Sequence, residues 1–387
     1  MNVIVSCGRK FHAFNLAEQL YKHGHLHKLL TTFYSKKRGC LPELREDREN
    51  INLKNVRANI FPIFIDVLLS KISFFQILDP GQISNKLFDC WAKNQIDKCD
   101  ILVAWSNAAL DTIRRAKSYG AVTIVERGST HILFQKELLE EEYYKYNLKI
   151  KSIKDYYVNE ELILYSESDY ISIPSSFAMQ TYIEKGIDPK KLIQIPYGVD
   201  LTNFKQIQKE DDIFRVIFAG SLSLRKGVHY LLKAFSELGL KNAELVLIGS
   251  VSNEIKSFME KYKRYYHYIG KVPHLELYRY LSQGSIFVLP SIEEGLAMVI
   301  PQAMACGLPV ICTTNTGGAD IIRDEKEGFI IPIRDVEALK AKILYLYENE
   351  DKRKFMSEEA LKRAKEFTWD AYGNKVITAY KKILHNR

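Results

Sequence analysis

No stretch of 18 or more residues in this chain is both clearly apolar and free of charge, which leaves no good candidate for a membrane-spanning helix. Cysteine is sparse: Cys7, Cys40, Cys90, Cys99, Cys306 and Cys312 form no CxxC pair and have no histidine at ligand spacing. Neither a disulfide framework nor a zinc site is therefore signalled, and a reducing cytoplasm fits. No basic leader precedes the first apolar run, Val3 to Val5, so secretion is not expected. An excess of one charge is also nearly missing, since 55 Lys and Arg against 47 Asp and Glu leave a net charge of +8. The imbalance is front-loaded: the first 57 residues hold eleven basic against five acidic side chains, with Lys36, Lys37, Arg38, Arg45 and Arg48 close together. Such a patch could steer the protein to anionic lipid or anionic substrates, or could be a solvated face.

What is present is enough apolar sequence for more than one core. A chain of 387 residues with 47% hydrophobic and 26% charged residues reads as globular, and its length exceeds what one core normally supports. Two halves repeat one theme. Val3 to Ser6 leads through CGRKFH into a helical pattern at Phe14, Leu16, Ala17 and Leu20, and Val216 to Ala219 leads through GSLSLRKG into one at Val228, Leu231, Leu232, Phe235 and Leu238. Short apolar runs at Ile101 to Ala104, Thr123 to Val125, Tyr170 to Ile173, Leu245 to Ile248, Ile286 to Leu289 and Val310 to Cys312 read as buried parallel strands separated by helices. The expectation is two doubly wound α/β domains. Pro196 and Gly198 place the break between residues 1–197 and 198–368, with a terminal helix, 369–387, free to pack back across the boundary. Residues 57–78 are strongly apolar but carry Asp66 and Lys71. They read as a buried helix broken at Pro62, with an acceptor-side or membrane-touching helix as the other reading.

The chemistry concentrates in three segments. In PSIEEGLAMVIPQAMACGLPVI, 290–311, a strand feeds an acidic pair, a glycine, and an apolar helix closed by Gly307. A loop at a parallel strand's carboxyl end is where ligands sit, so Glu294 and the NH groups of Gly295, Leu296, Ala297 and Met298 are expected to face a crevice. A carboxylate beside a phosphate site is useful only if it reaches past the phosphates to hydroxyls, which points to a ligand with a diphosphate and a polyol. The loop at 220–227 begins with Gly220 and Ser221 and brings Arg225 and Lys226 to a helix start. Cations there oppose the helix dipole, which favours a role in holding phosphate oxygens. In the first half, Gly8 follows a strand and precedes a helix. The run VERGSTH carries Glu126, Arg127 and Gly128 and places His131 at a sheet edge facing the crevice.

Taken together, these segments resemble the GT-B glycosyltransferases, in particular the large retaining family usually numbered four. The resemblance covers nearly the whole chain: ERGSTH, the connection PSSF…IPYGVDLTNF (174–204), FAGSLSLRKGVHYLLKAF (218–235), PSIEEGLAMVIPQAMACGLPVI, TNTGGADIIRDEKEGFIIP (314–332) and the terminal FTWDAYG. It implies two Rossmann-like domains facing a central cleft, the first on the acceptor side and the second binding a nucleotide sugar. It also implies transfer of that sugar to an acceptor hydroxyl with retention of configuration, no cofactor and no bound metal; no Asp-x-Asp triplet occurs. Carried over by residue, Arg225 and Lys226 match the positions that hold the donor diphosphate. Glu294 matches the first acid of the E-x7-E motif, Gly295 to Met298 the backbone near sugar and phosphate, and His131 the histidine that touches the transferred sugar. Backbone near Lys271 and Val272 would hold the base.

Two positions depart from the pattern. Gln302, after Pro301, stands where the second acid belongs, and Ser221 stands where an arginine often follows the phosphate-loop glycine, with Arg225 as its substitute. Glutamine can still bond ribose hydroxyls but loses the charge-assisted acceptor. The expected function is a cytoplasmic hexosyltransferase of polysaccharide, lipopolysaccharide or glycolipid assembly. It would take a UDP-, GDP- or ADP-linked donor and a glycan or lipid-linked acceptor, with peripheral contact to an anionic inner membrane face as an added option. A non-catalytic sensor or scaffold is the alternative. Single-strand binding by KYKRYYHYIGK (261–271) is set aside, because that run reads better as a helix end leading into a strand.

Overall fold

The computed structural model describes residues 1–9, 11–34, 51–70, 79–150 and 152–386. The basic cluster from Lys36 to Arg48, and residues 71–78 of the apolar segment, lie outside them.

Strands and helices alternate through both halves, as buried runs separated by amphipathic patterns require. The first half comprises β1 (Val3–Cys7), α1 (Ala13–Lys22), β2 (Leu26–Thr31), β3 (Val56–Ala58), α2 (Phe61–Ser70), α3 (Pro80–Lys93), β4 (Ile101–Trp105), α4 (Leu110–Ser118), β5 (Val122–Glu126), α5 (Ile132–Lys145), α6 (Asp155–Glu167), β6 (Tyr170–Ile173), α7 (Ser176–Glu184) and β7 (Leu192–Gln194). The second comprises β8 (Phe214–Ala219), α8 (Val228–Leu238), β9 (Ala243–Ile248), α9 (Lys256–Lys261), β10 (His267–Gly270), α10 (Leu277–Ser282), β11 (Ile286–Leu289), α11 (Val299–Ala305), β12 (Val310–Thr313), β13 (Gly328–Ile331), α12 (Val336–Glu348), α13 (Glu350–Ala364) and α14 (Trp369–His385). The strands form two parallel sheets, ordered β3-β2-β1-β4-β5-β6-β7 and β10-β9-β8-β11-β12-β13. Strand order reverses between β1 and β4 in one sheet and between β8 and β11 in the other, which opens a crevice at each switch point.

Local chemistry explains the boundaries. Asp79 caps α3 by accepting from Gln82 N at 3.3 Å, with Pro80 in the first turn, where its missing N–H costs nothing. Thr368 caps α14 by accepting from Ala371 N at 3.1 Å. On α8, Val228, Leu231, Leu232 and Phe235 are buried, each contributing about 1.5–3 kcal/mol. Buried apolar side chains of both halves join in one cluster through Ile195, Tyr197, Val199 and Phe204.

The last helix lies against the first half: Lys22 Nζ sits 2.8 Å from Asp370 Oδ1, Gln19 Nε2 donates to the same oxygen at 3.0 Å, and Val199 N donates to Phe367 O at 2.7 Å. The segment 57–78 differs from its expected form. Pro62 falls at the second position of α2 and begins that helix rather than breaking it, and Pro62 is the helix's one buried residue. Ile60, Phe61, Phe64, Val67 and Leu68 are exposed along one side. The run 261–271 forms the end of α9, a 3₁₀ turn and β10.

Candidate active site

The loops after β8 and β11 meet at the second sheet's switch point. Gly227 has φ +66, and a Cβ there would stand 1.9 Å from Pro290 O, so only glycine lets the two loops close up. Ile292 N then donates to Arg225 O at 2.8 Å. This contact sets Arg225 and Lys226 beside the acidic pair. Lys226 Nζ touches Glu294 Oε1, and Arg225 Nη2 is 3.6 Å from Glu294 Oε2. The expected cations and the expected acid are thus one cluster, half-buried on the cationic side.

The neighbouring acid, Glu293, escaped notice in the sequence and is the more heavily engaged of the two. It is fully buried. Its Oε1 accepts from Ser129 Oγ at 2.8 Å, Thr130 Oγ1 at 2.7 Å and Thr130 N at 3.3 Å, and its Oε2 accepts from Gln135 Nε2 at 2.8 Å and Arg225 Nε at 2.7 Å. Burial alone would raise its pKa, but Arg225 and the donors from the first half hold it down to about 2. The one available signal was numerical: two loop cations facing two adjacent acids.

The run VERGSTH therefore works differently from its expected role. His131 does not face the crevice. It is buried between Tyr165 and Tyr182, with ring centroids 5.0 and 5.2 Å away, and its Nδ1 accepts from Leu133 N at 3.2 Å as the cap of α5. Burial, with Arg127 nearby, lowers its pKa to about 4, so the ring stays neutral. The cause lies in the helix start: a ring accepting from the second residue of α5 turns into the domain, while Ser129 and Thr130 take the crevice side.

Other expected residues divide. Gln302 is buried, its amide 3.1 Å from His274 Nε2, and both line a cavity of about 320 Å³ with Met298, Phe204 and, from the first half, Phe14 and Asn15. Pro301 sits in the first turn of α11, where it is tolerated. Lys271 and Val272 lie just before His274 on the same loop, Lys271 exposed and Val272 partly so. Not all of the expected free NH groups exist: Glu294 N donates to Asn315 O at 2.8 Å, Ala297 N to Thr316 O at 3.2 Å and Gly220 N to Ile248 O at 2.9 Å. Ser221 is exposed, and Leu296 is buried beside the acidic pair. Gly295 packs against the first half, where a Cβ would come within 2.3 Å of Gly128 O. Gly8 is not with the donor cluster. It lines a separate cavity of about 260 Å³ with Arg9, Phe11, Trp105 and Tyr157, and its near neighbour is the Phe88 ring. Among the described residues no group of three or more His, Cys, Asp or Glu is placed to hold a metal ion.

Two parallel α/β sheets whose switch-point loops face one another define the GT-B class of fold. Residues 200–363, the half that carries Arg225, Lys226, Glu294 and Gln302, match the family described as glycosyl transferases group 1. The chain is 29% identical over 173 residues to the O-antigen chain mannosyltransferase B of Escherichia coli, covering 43% of this chain and 45% of that protein. It is 26% identical over 243 residues to the capsular polysaccharide biosynthesis glycosyltransferase CapM of Staphylococcus aureus, covering 56% and 63%. The matches thus span about half the length of such relatives. In fold it resembles HepE of Anabaena, solved with UDP and glucose, at a TM-score of 0.70 and 14% identity over 99% of this chain and 100% of that one.

Proposed function

We propose that the protein is a retaining glycosyltransferase that moves a sugar from a nucleotide-sugar donor to an acceptor hydroxyl. The observation that carries this reading is the cluster of Arg225, Lys226 and Glu294 at the switch point beside the cavity of Gln302 and His274. The diphosphate would lie on Arg225 and Lys226, the nucleoside in that cavity, and the sugar hydroxyls at Glu294. As the anomeric carbon to phosphate bond breaks, negative charge grows on the leaving diphosphate. The two cations stabilise that charge without a metal or other cofactor. The acceptor oxygen attacks from the same face, and the departing phosphate oxygen takes the acceptor's proton, so no side chain need act as base. In the resting site Glu294 occupies Lys226, which keeps the cluster neutral until a donor displaces it.

Names among the relatives support polysaccharide or glycolipid assembly as the setting. The cavity of Gly8, Phe11 and Trp105 in the first half supports an acceptor site there. We place the reaction in the cytoplasm, at an anionic membrane face. The basic excess of the first 57 residues and the exposed apolar side of α2 support that placement, and no described helix is long and apolar enough to cross a membrane. A thermal-shift series against UDP, GDP, ADP and their sugar conjugates tests the donor site. One nucleotide should stabilise the wild type, by about 2.7 kcal/mol at 100 times its dissociation constant, and this gain should vanish in Glu294→Ala with the sugar conjugate. A flat response to every nucleotide sinks the reading.

A further inference from the structure

A line of polar contacts runs from the buried interior of the first half to the phosphate loop of the second. Glu161 Oε1 accepts from Arg127 Nη1 at 3.1 Å, and Arg127 Nη2 donates to Gln135 Oε1 at 3.1 Å. Gln135 Nε2 donates to Glu293, and Glu293 holds Arg225 Nε. Four of the five hydrogen bonds to Glu293 come from the first half, although Glu293 itself belongs to the second. Separating the halves would strip those four donors from a carboxylate that nothing else printed satisfies except Arg225. A carboxylate so released would be hydrated and free to turn, and Arg225 would lose a fixed partner.

We propose that Glu293 is a positioning residue that couples closure of the two halves to the diphosphate grip, by orienting Arg225 only when Ser129, Thr130 and Gln135 are docked on it. The proposal rests on the transferase reading above and adds to it. Holding Nε fixes the plane of the guanidinium, and its two terminal nitrogens then remain for phosphate oxygens in a set orientation. Arg225 is held at one edge and half-exposed at the other, as such a role requires. Adjacent acids thus act on opposite partners: Glu294 yields Lys226 to the donor, whereas Glu293 keeps Arg225 in place throughout.

The test compares Glu293→Gln and Thr130→Val with wild type in calorimetric titrations of inorganic pyrophosphate, UDP, GDP and ADP, each beside the matching nucleoside monophosphate. Thr130 is placed away from the proposed donor contacts, and valine keeps its shape, so this variant carries the test if Glu293→Gln does not fold. Both variants are expected to weaken pyrophosphate and the preferred nucleoside diphosphate about tenfold while leaving the monophosphate within about twofold. An unchanged diphosphate-to-monophosphate ratio, whatever the melting temperature does, overturns the proposal. So does tighter diphosphate binding by Glu293→Gln, which would make Glu293 a competitor for Arg225. Wild-type protein that binds none of these ligands removes the transferase reading and this proposal together, whereas wild-type binding that both variants preserve removes the proposal alone.

Discussion

The loop after β5 and the loop after β11 occupy corresponding places, each at the carboxyl end of a parallel strand, yet they use their polar residues in opposite ways. The first loop turns His131 inward as a helix cap and commits Arg127, Ser129 and Thr130 to protein partners. The second places Glu294 against two half-exposed cations. One loop is a dock and the other a binding surface, and a carboxyl-end position alone does not distinguish them. What distinguishes them is whether each polar group already has a buried protein partner.

That contrast can be broken at either side. The largest effect is expected at the binding surface: Lys226→Ala should lower turnover by roughly 10²-fold or more, the usual size of removing one preorganised electrostatic contact, with little change in unfolding. Steady-state rates beside denaturant curves would show it, and near-normal turnover would move the chemistry elsewhere. Next comes the second contact between the halves. Glu142 on α5 is buried and accepts from His229 Nε2 and Tyr230 Oη at 2.8 Å and from Arg334 Nε at 2.7 Å. Removing one member of a buried ionic group costs about 3–5 kcal/mol, so Glu142→Ala should lower denaturation stability by about that amount, and a loss near zero would mean that this interface is not closed in solution.

A smaller effect belongs to the dock itself. The folded pKa of His131 lies near 4, below the ordinary 6.5, because burial disfavours the charged ring. Between those values the unfolded chain binds a proton that the folded chain refuses. The His131 contribution is therefore whole above pH 6.5 and fades as pH falls toward 4, by about 3 kcal/mol at most. Asparagine can cap the same helix without titrating, so His131→Asn should flatten this part of the stability profile; an unaltered slope would contradict the buried, neutral ring. The smallest change is expected at Gln302. Charged acceptors exceed neutral ones by about 1 kcal/mol, so Gln302→Glu should tighten the preferred nucleoside diphosphate about fivefold in titration calorimetry. Weaker binding would place the ribose away from this residue.

Much of this was legible in the sequence. The limits of β6 and β11 agree to the residue, and β1, β4, β5, β8 and β12 agree within two, because they are apolar runs ended by glycine, proline or charge. The three-residue strands β3 and β7, and β2 with its polar His27 and Lys28, offered no such run. At the site, Arg225, Lys226 and Glu294 were legible because each looked misplaced for a merely structural residue. Glu293 was not, since its partners stand up to 164 positions away and no local pattern records a contact made between two halves. His131 was misjudged for the same reason: its place in the loop was readable, but the direction set by capping Leu133 N was not.

The most direct measurement of the central claim is transfer of radiolabelled sugar from UDP-, GDP- and ADP-linked donors into a membrane extract, with wild-type protein and Lys226→Ala run side by side. Donor-specific incorporation by the wild type, cut roughly 10²-fold in the variant, is the predicted result. Donor binding without incorporation, or equal incorporation by both proteins, would contradict a sugar transfer driven at Arg225, Lys226 and Glu294.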